Sequence, residues 1–423
     1  MHWKSIAVGY ALCMAGGYAF AQQPPSITLG KGLTLQSEWR MRYEGRQTRD
    51  FDTRTGNDPR DELSRLRLGL QWKGKDGSVL FLQPQYSYGR NTGFARATGT
   101  TDDIDIHQGF AQFRTDKLVW TLGRQEFIYG DSRLIGTGNW DNIGRSFDAV
   151  RARAADARTV TDLFVGKLGQ AINKTTDPLF AGVYSTVTRN RNIQYDLYLL
   201  YKSDRIAGMS QDIWTVGTRP KLSFGKGFDA TIEAAFQFGN DRTRPVEALA
   251  YAVVIGHTFP GRARLRVAVE HDYATGGNPT GTGKQRTFDN LFPTNHQHYG
   301  FADYVGWRNM RDLRLSLQAQ PGTAWMLTLD VHRFGLDDAR DFWYAANGRP
   351  VNGANGRPLR DPTGAAGRDL GTEIDFTVAY TGIQNLHLSG GYARFMPGSF
   401  VRNTNGGRAD DADWFYVQSN WRF

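Results

Sequence analysis

Asp413-Trp-Phe-Tyr-Val-Gln-Ser-Asn-Trp-Arg-Phe423 closes the chain. In an extended backbone successive side chains point to opposite faces. Phe415, Val417, Trp421 and Phe423 then share one face, and Tyr416, Gln418, Asn420 and Arg422 share the other. A strand that is apolar on one face, polar on the other and ends on an aromatic residue has the pattern of the last strand of an outer-membrane barrel. The expectation is an all-β transmembrane antiparallel barrel, with the Phe423 strand as the handle for the barrel-assembly machinery.

The same period of two recurs upstream. Leu33, Leu35, Trp39, Met41 and Tyr43 alternate with Thr34, Gln36, Glu38, Arg40 and Arg42. Leu66, Leu68, Leu70 and Trp72 alternate with Arg65, Arg67, Gln71 and Lys73. Ile193, Tyr195, Leu197, Leu199 and Tyr201 alternate with Gln194, Asp196, Tyr198 and Lys202. Ala263, Leu265, Val267 and Val269 alternate with Arg262, Arg264, Arg266 and Glu270. No later stretch reaches the roughly 18 apolar residues of a spanning helix, and the mean hydropathy is negative at -0.51. Aromatics make up 13% of the chain and 49 residues are glycine, a mixture that fits strands with one lipid face and one wet face.

Short and long connections alternate. Turn residues fill the short ones, for example Gly74–Gly77, Ala155–Arg158, Gly225–Gly227 and Gln320–Gly322. The long ones span 45–62, 90–103, 126–146, 168–178, 202–211, 240–247, 273–309, 335–370 and 396–412. Eight short and nine long connections join about 18 strands, with both termini in the periplasm. A barrel of that size can hold an aqueous channel. The first 21 residues have the form of an export leader: Lys4, an apolar run from Ile6 to Phe20, and Ala19-Phe20-Ala21 as the cleavage site. The mature chain would start at Gln22 and lack cysteine, because Cys13 leaves with the leader.

Register follows from the apolar face, because a charge facing lipid costs about 2–4 kcal/mol near the midplane. The lumen side then carries Arg40, Arg42, Arg65, Arg67, Arg151, Arg153, Arg262, Arg264, Arg266 and Arg314, with Glu38, Asp196, Glu233, Glu270, Asp330, Glu373 and Asp375. Arginine dominates the first, second, sixth, thirteenth and fourteenth expected strands, and acids gather on the fifteenth and sixteenth, at Asp330, Glu373 and Asp375. Arg124 and Arg394 fall on the lipid parity near outer strand ends, where a bulge could turn them inward or they reach the headgroups. The formal net charge of +9 favours an anionic solute over nucleic acid as the partner of an exported chain. Arginine suits carboxylate because its planar fork donates two parallel hydrogen bonds.

The 126–146 loop is rich in glycine, aromatic and charged residues, and could fold into the lumen or lie over the rim. Asp289, His296 and His298 share one long loop, but their spacing is loose for a metal and no cysteine accompanies them. His332 and His387 lie on the lumen parity without a nucleophile motif, so neither catalysis nor a cofactor is expected.

Three segments carry a family resemblance: Leu122 to Arg151 (LGRQEFIYGDSRLIGTGNWDNIGRSFDAVR), Phe288 to Leu313 (FDNLFPTNHQHYGFADYVGWRNMRDL) and Leu370 to Ser399 (LGTEIDFTVAYTGIQNLHLSGGYARFMPGS). They resemble the alginate-export family of outer-membrane barrels. The resemblance implies an 18-stranded monomeric barrel with an arginine-lined conduit for a polyuronate. It implies conduit roles for Arg65, Arg67, Arg124, Arg145, Arg151 and Arg394. A barrel in this membrane is expected to have outer-membrane lipid and lipopolysaccharide as partners. Two solutes follow as expectations: export of a uronic-acid polysaccharide, or uptake of small anionic or aromatic compounds.

Overall fold

A computed structural model describes residues 26–91, 104–171, 176–206 and 208–423. The segment expected to be an export leader lies outside the described residues, as does most of the 90–103 connection. The strands are β1 (Ile27–Gly30), β2 (Leu33–Gln47), β3 (Arg60–Lys73), β4 (Val79–Asn91), β5 (Ile104–Thr115), β6 (Leu118–Gln125) and β7 (Ser146–Ala155). Then come β8 (Thr159–Gln170), β9 (Leu179–Asn190), β10 (Ile193–Ile206), β11 (Met209–Phe224), β12 (Phe228–Asp241) and β13 (Arg244–Thr258). The last are β14 (Arg266–Ala274), β15 (Met310–Ala319), β16 (Trp325–Gly335), β17 (Asp369–Ile383), β18 (Leu386–Pro397) and β19 (Ala412–Arg422). A short helix, α1 (Ser399–Thr404), interrupts the last connection.

Each strand from β2 onward pairs antiparallel with its successor, and β19 returns to β2 through Asn420↔Arg40 and Trp414↔Arg46. That pairing closes an 18-stranded barrel. Closure leaves no open edge in lipid, where unmet backbone groups are costly. The terminal Phe423 exchanges backbone hydrogen bonds with Ser37 at 2.7 and 3.2 Å. Just beyond it β1, which the alternation did not reveal, pairs with β2 at Ile27↔Leu35.

The faces fall as the alternation requires. Val417 is 65% exposed on the lipid side, while its neighbour Tyr416 is 2% exposed on the lumen side. Leu197 and Asp196 divide in the same way, one exposed and one fully buried.

Three readings are corrected. The 202–211 and 240–247 segments, read as long loops, are mostly strand: β10 pairs with β11 out to Ile206↔Met209 and β12 with β13 out to Asp241↔Arg244. Arg262 and Arg264 do not face the lumen. They sit exposed in the 259–265 periplasmic turn, where Pro260-Gly261 breaks the alternation and Arg264 takes a φ of 41°; β14 begins only at Arg266. Arg124 and Arg394 stay on the outer face. There Arg124 pairs with Asp148 at 2.7 Å and Arg394 with Asp411 at 2.9 Å, so a neighbouring acid, not a bulge, settles each charge.

A hydrophobic core lies inside the barrel, between the wall and the connections that fold inward. Trp307, Trp343 and Trp414 are each at most 1% exposed. Phe51 sits against Trp343, Tyr304 and Phe395 with centroids 4.9–5.7 Å apart. A barrel of 18 strands is too wide to be filled by wall side chains alone. Loop aromatics supply the missing volume.

Candidate functional site

The lumen has a basic wall on β2 and β3. Arg40, Arg42, Arg65 and Arg67 point inward there at alternate positions and are only 2–5% exposed. The 126–145 loop lies against them inside the barrel. Arg40 donates to the carbonyls of Asn139 at 2.6 Å and Asp141 at 2.9 Å. Arg42 donates to the Trp140 carbonyl at 2.7 Å, with its guanidinium 4.0 Å from the centre of that ring. Arg65 spans the Asp141 carbonyl at 3.1 Å and Glu38 at 2.6 Å. Arg67 reaches the Ile143 carbonyl at 3.0 Å and the Asn139 side chain at 2.9 Å. Gly144, at φ 81°, lies so close that a Cβ there would be 2.6 Å from Arg67 Nη2. The backbone of a loop carries more acceptors than its few acids, and the long arginine forks find them.

An acidic wall occupies β14 to β17. Glu270 is paired with Arg314 and with Arg133, which reaches across from the 126–145 loop and also meets Asp272 at 3.2 Å. His332 sits between Asp312, at 2.7 Å, and Asp375, at 3.7 Å. Here the 275–309 loop docks through donors. The Ala302 amide donates to Glu373 at 2.8 Å and the Phe301 amide to Asp375 at 3.3 Å. Gly300, at φ 82°, fits against Glu373, whose carboxylate would lie 2.6 Å from a Cβ.

The two inward loops join each other. Gly136 donates to the Phe292 carbonyl at 2.8 Å, and Phe292 donates back to Leu134 at 2.9 Å. Arg145 ties the junction, with Nη1 2.6 Å from the Phe292 carbonyl and 2.9 Å from that of Pro293. Burial pushes the Arg145 guanidinium down to about 10, which leaves it charged at neutral pH. Burial, with Arg133 alongside, holds the His298 imidazole well below its usual range. It is therefore neutral and donates from Nε2 to the Asp131 carbonyl at 2.8 Å. Phe127 of the first loop and Phe292 of the second pack on Phe147, at 5.0 and 5.1 Å. The question left by composition is thus resolved: the 126–145 loop folds into the lumen and narrows it.

Most arginines expected along the conduit have named partners. Arg153 pairs with Asp162 at 2.6 Å, and Arg266 with Asp229 at 2.6 Å. Arg314 belongs to the Glu270 cluster. Arg151 differs. It faces inward, half-buried, with the Phe127 ring 6.0 Å away, and no carboxylate lies within ion-pair distance of it among the described residues. Of the acids, Asp330 is 6% exposed and its Oδ1 has no hydrogen-bond partner. Asp289, His296 and His298, weighed as metal ligands, go to separate partners. Asp289 binds Lys202 at 2.7 Å, and His296 stacks on Trp140 at 3.8 Å. Sequence reasoning missed Arg133, Arg219 and Arg308, since only the fold brings their loops or strands into the interior. Arg219, for example, links Asp196 at 2.6 Å to loop residue Asp131 at 3.1 Å.

The alginate-export family model matches residues 31–415, nearly the whole chain. This protein belongs to that family. Among solved structures it is similar to the outer membrane protein OprD from Pseudomonas aeruginosa, with 10% identity, 93% of this chain and 94% of that one covered, and a TM-score of 0.60. P. aeruginosa OccK7 (OpdD) is similar too, at 11% identity, covering 92% and 99% of the two chains, with a TM-score of 0.60. At such identities these likenesses show a shared fold. No curated protein sequence matches the chain. This family member is an outer-membrane β-barrel porin, a channel that crosses the membrane many times.

Proposed function

We propose that the porin is a passive, anion-preferring channel whose solutes carry carboxylates, with single uronates and other small organic acids preferred over polymers. Arg151 carries this reading. It is a lumen arginine with no acid within ion-pair distance among the described residues, beside loops that narrow the passage. Its planar fork can take a carboxylate in two parallel bonds. The paired arginines around it bind weakly enough that a guest can leave as well as enter. The filled lumen favours small guests, because a polymer would need both inward loops to move aside. Export of a uronic-acid polysaccharide is the second reading, and the family's description favours it.

Single-channel current under a KCl gradient tests both. The proposal expects anion selectivity, with block by monomeric uronate as potent per carboxylate as block by longer oligomers. Block that strengthens steadily with oligomer length would shift the conclusion to polysaccharide export. Cation selectivity would remove the anion channel altogether.

A further inference from the structure

One surface cavity lies outside the lumen. It measures about 1240 Å³ and is bounded by the start of β13, the 276–286 and 337–340 segments, and 363–368. Six cations line it, Arg244, Lys284, Arg286, Arg311, Arg340 and Arg368, against only Asp337 and Asp338. Arg311 pairs with Asp337 at 2.8 Å and Arg340 with Asp338 at 3.0 Å. Arg244 spends its hydrogen bonds on loop carbonyls, such as Gly283 at 2.9 Å and Lys284 at 3.0 Å. Neither Arg244 nor Arg368 has a carboxylate within ion-pair distance among the described residues. Lys284 and Arg286 share the single carboxylate of Glu247, Arg286 at 3.8 Å, which leaves six cations against three acids. The cavity therefore keeps a surplus of positive charge.

Its position decides what that charge is for. Arg311 is on the lipid-facing parity of β15, directly above Leu313 and Leu315, which are 52% and 45% exposed. Its guanidinium lies 5.6 Å from the ring centre of Tyr273, which stacks on Tyr251 at 5.2 Å. Outward tyrosines of this kind mark the boundary between hydrocarbon and headgroups. The cavity thus sits at the headgroup level of the outer leaflet, beside an acyl-facing wall and not over the channel axis.

We infer that this cavity docks the phosphorylated saccharide headgroup of an outer-leaflet glycolipid. Phosphate matches the arginine fork as carboxylate does and carries more charge, so it gains more from a surplus of cations. The acyl chains of the same molecule would lie along Leu313 and Leu315. A soluble acidic glycan uses the same headgroup chemistry but has nothing to place on that wall. The inference is independent of what passes through the lumen.

The test is native mass spectrometry of the full-length purified barrel titrated with bisphosphorylated lipid A or its phosphate-free form. The expected result is at least fivefold tighter binding of the phosphorylated lipid. Arg286→Ala with Arg368→Ala should remove at least fivefold of that affinity and leave single-channel conductance unchanged. Equal retention of the two lipids would overturn the site, and needs no variant to fold. Unchanged affinity in a folded double variant would also overturn it. So would displacement of the lipid by equimolar soluble oligouronate, which would make the headgroup alone the ligand.

Discussion

The basic and acidic walls both hold an inward loop, but by opposite chemistry. On β2 and β3 the wall donates and the 126–145 loop accepts through its carbonyls. On β17 the wall accepts and the 275–309 loop donates through the Phe301 and Ala302 amides. The two arrangements are not equally complete. On the basic wall Arg65 and Arg67 have no buried nitrogen without a partner and Arg40 and Arg42 lack one only at Nε, whereas Asp272, Asp312, Asp330, Glu373 and Asp375 each keep one of two carboxylate oxygens unmet. A buried acceptor without a donor costs about 1–3 kcal/mol. An arginine fork offers five N–H groups to a loop dense in carbonyls, while a loop amide can satisfy only one carboxylate oxygen. The 275–309 loop is thus held on β17 more loosely than the 126–145 loop is held on β2 and β3 and, through Arg133, on Glu270 and Asp272, so opening should begin at β17.

The strongest way to break this comparison is to remove the anchor. Arg40→Ala, Arg65→Ala and Arg67→Ala together delete several charge-assisted bonds of about 1.5–3 kcal/mol each. The 126–145 loop should leave the lumen, and single-channel conductance should rise on the order of threefold or more by the scaling of free pore with barrel width. Unchanged conductance in that triple variant would mean that the other loop contacts suffice.

A sharper test uses the two glycines that press the loops on the walls. Alanine at a left-handed position costs about 1–2 kcal/mol, and here each Cβ would also crowd the wall. Gly300→Ala should open the channel measurably, because few bonds hold that loop to β17. Gly144→Ala should change conductance little, because the arginine forks can shift and keep their carbonyls. Equal effects from the two variants, read in the same bilayer assay, would sink the asymmetry.

The smallest effect is expected at Arg151, which anchors neither loop. Arg151→Ala should leave conductance and thermal stability near those of the parent and lower the anion-to-cation permeability ratio by about twofold, as for one site among several in a pore. A drop in thermal stability as large as that of the triple variant would show that Arg151 is structural.

Much of this architecture was legible in the sequence because a strand's side-chain period is two and lipid punishes charge on the wrong face. The alternation at Leu33–Tyr43 and at Ile193–Tyr201 fixed register, and register put Arg40, Arg65, Glu373 and Asp375 in the lumen. Where the local pattern broke, reading failed. Pro260-Gly261 shifted Arg262 and Arg264 into a turn, and the polar 202–211 and 240–247 segments hid strands that continue past the membrane.

Sequence alone therefore determined the barrel, its strand number and which face each wall residue occupies, since those depend on neighbours two residues away. Only the tertiary structure decided what the wall residues bind. Arg40 meets a carbonyl 99 positions away and Glu373 an amide 71 positions away. Backbone carbonyls and amides are the same at every residue, so no residue type marks the ones that a wall will choose. That choice is made by where two loops come to rest inside a closed sheet.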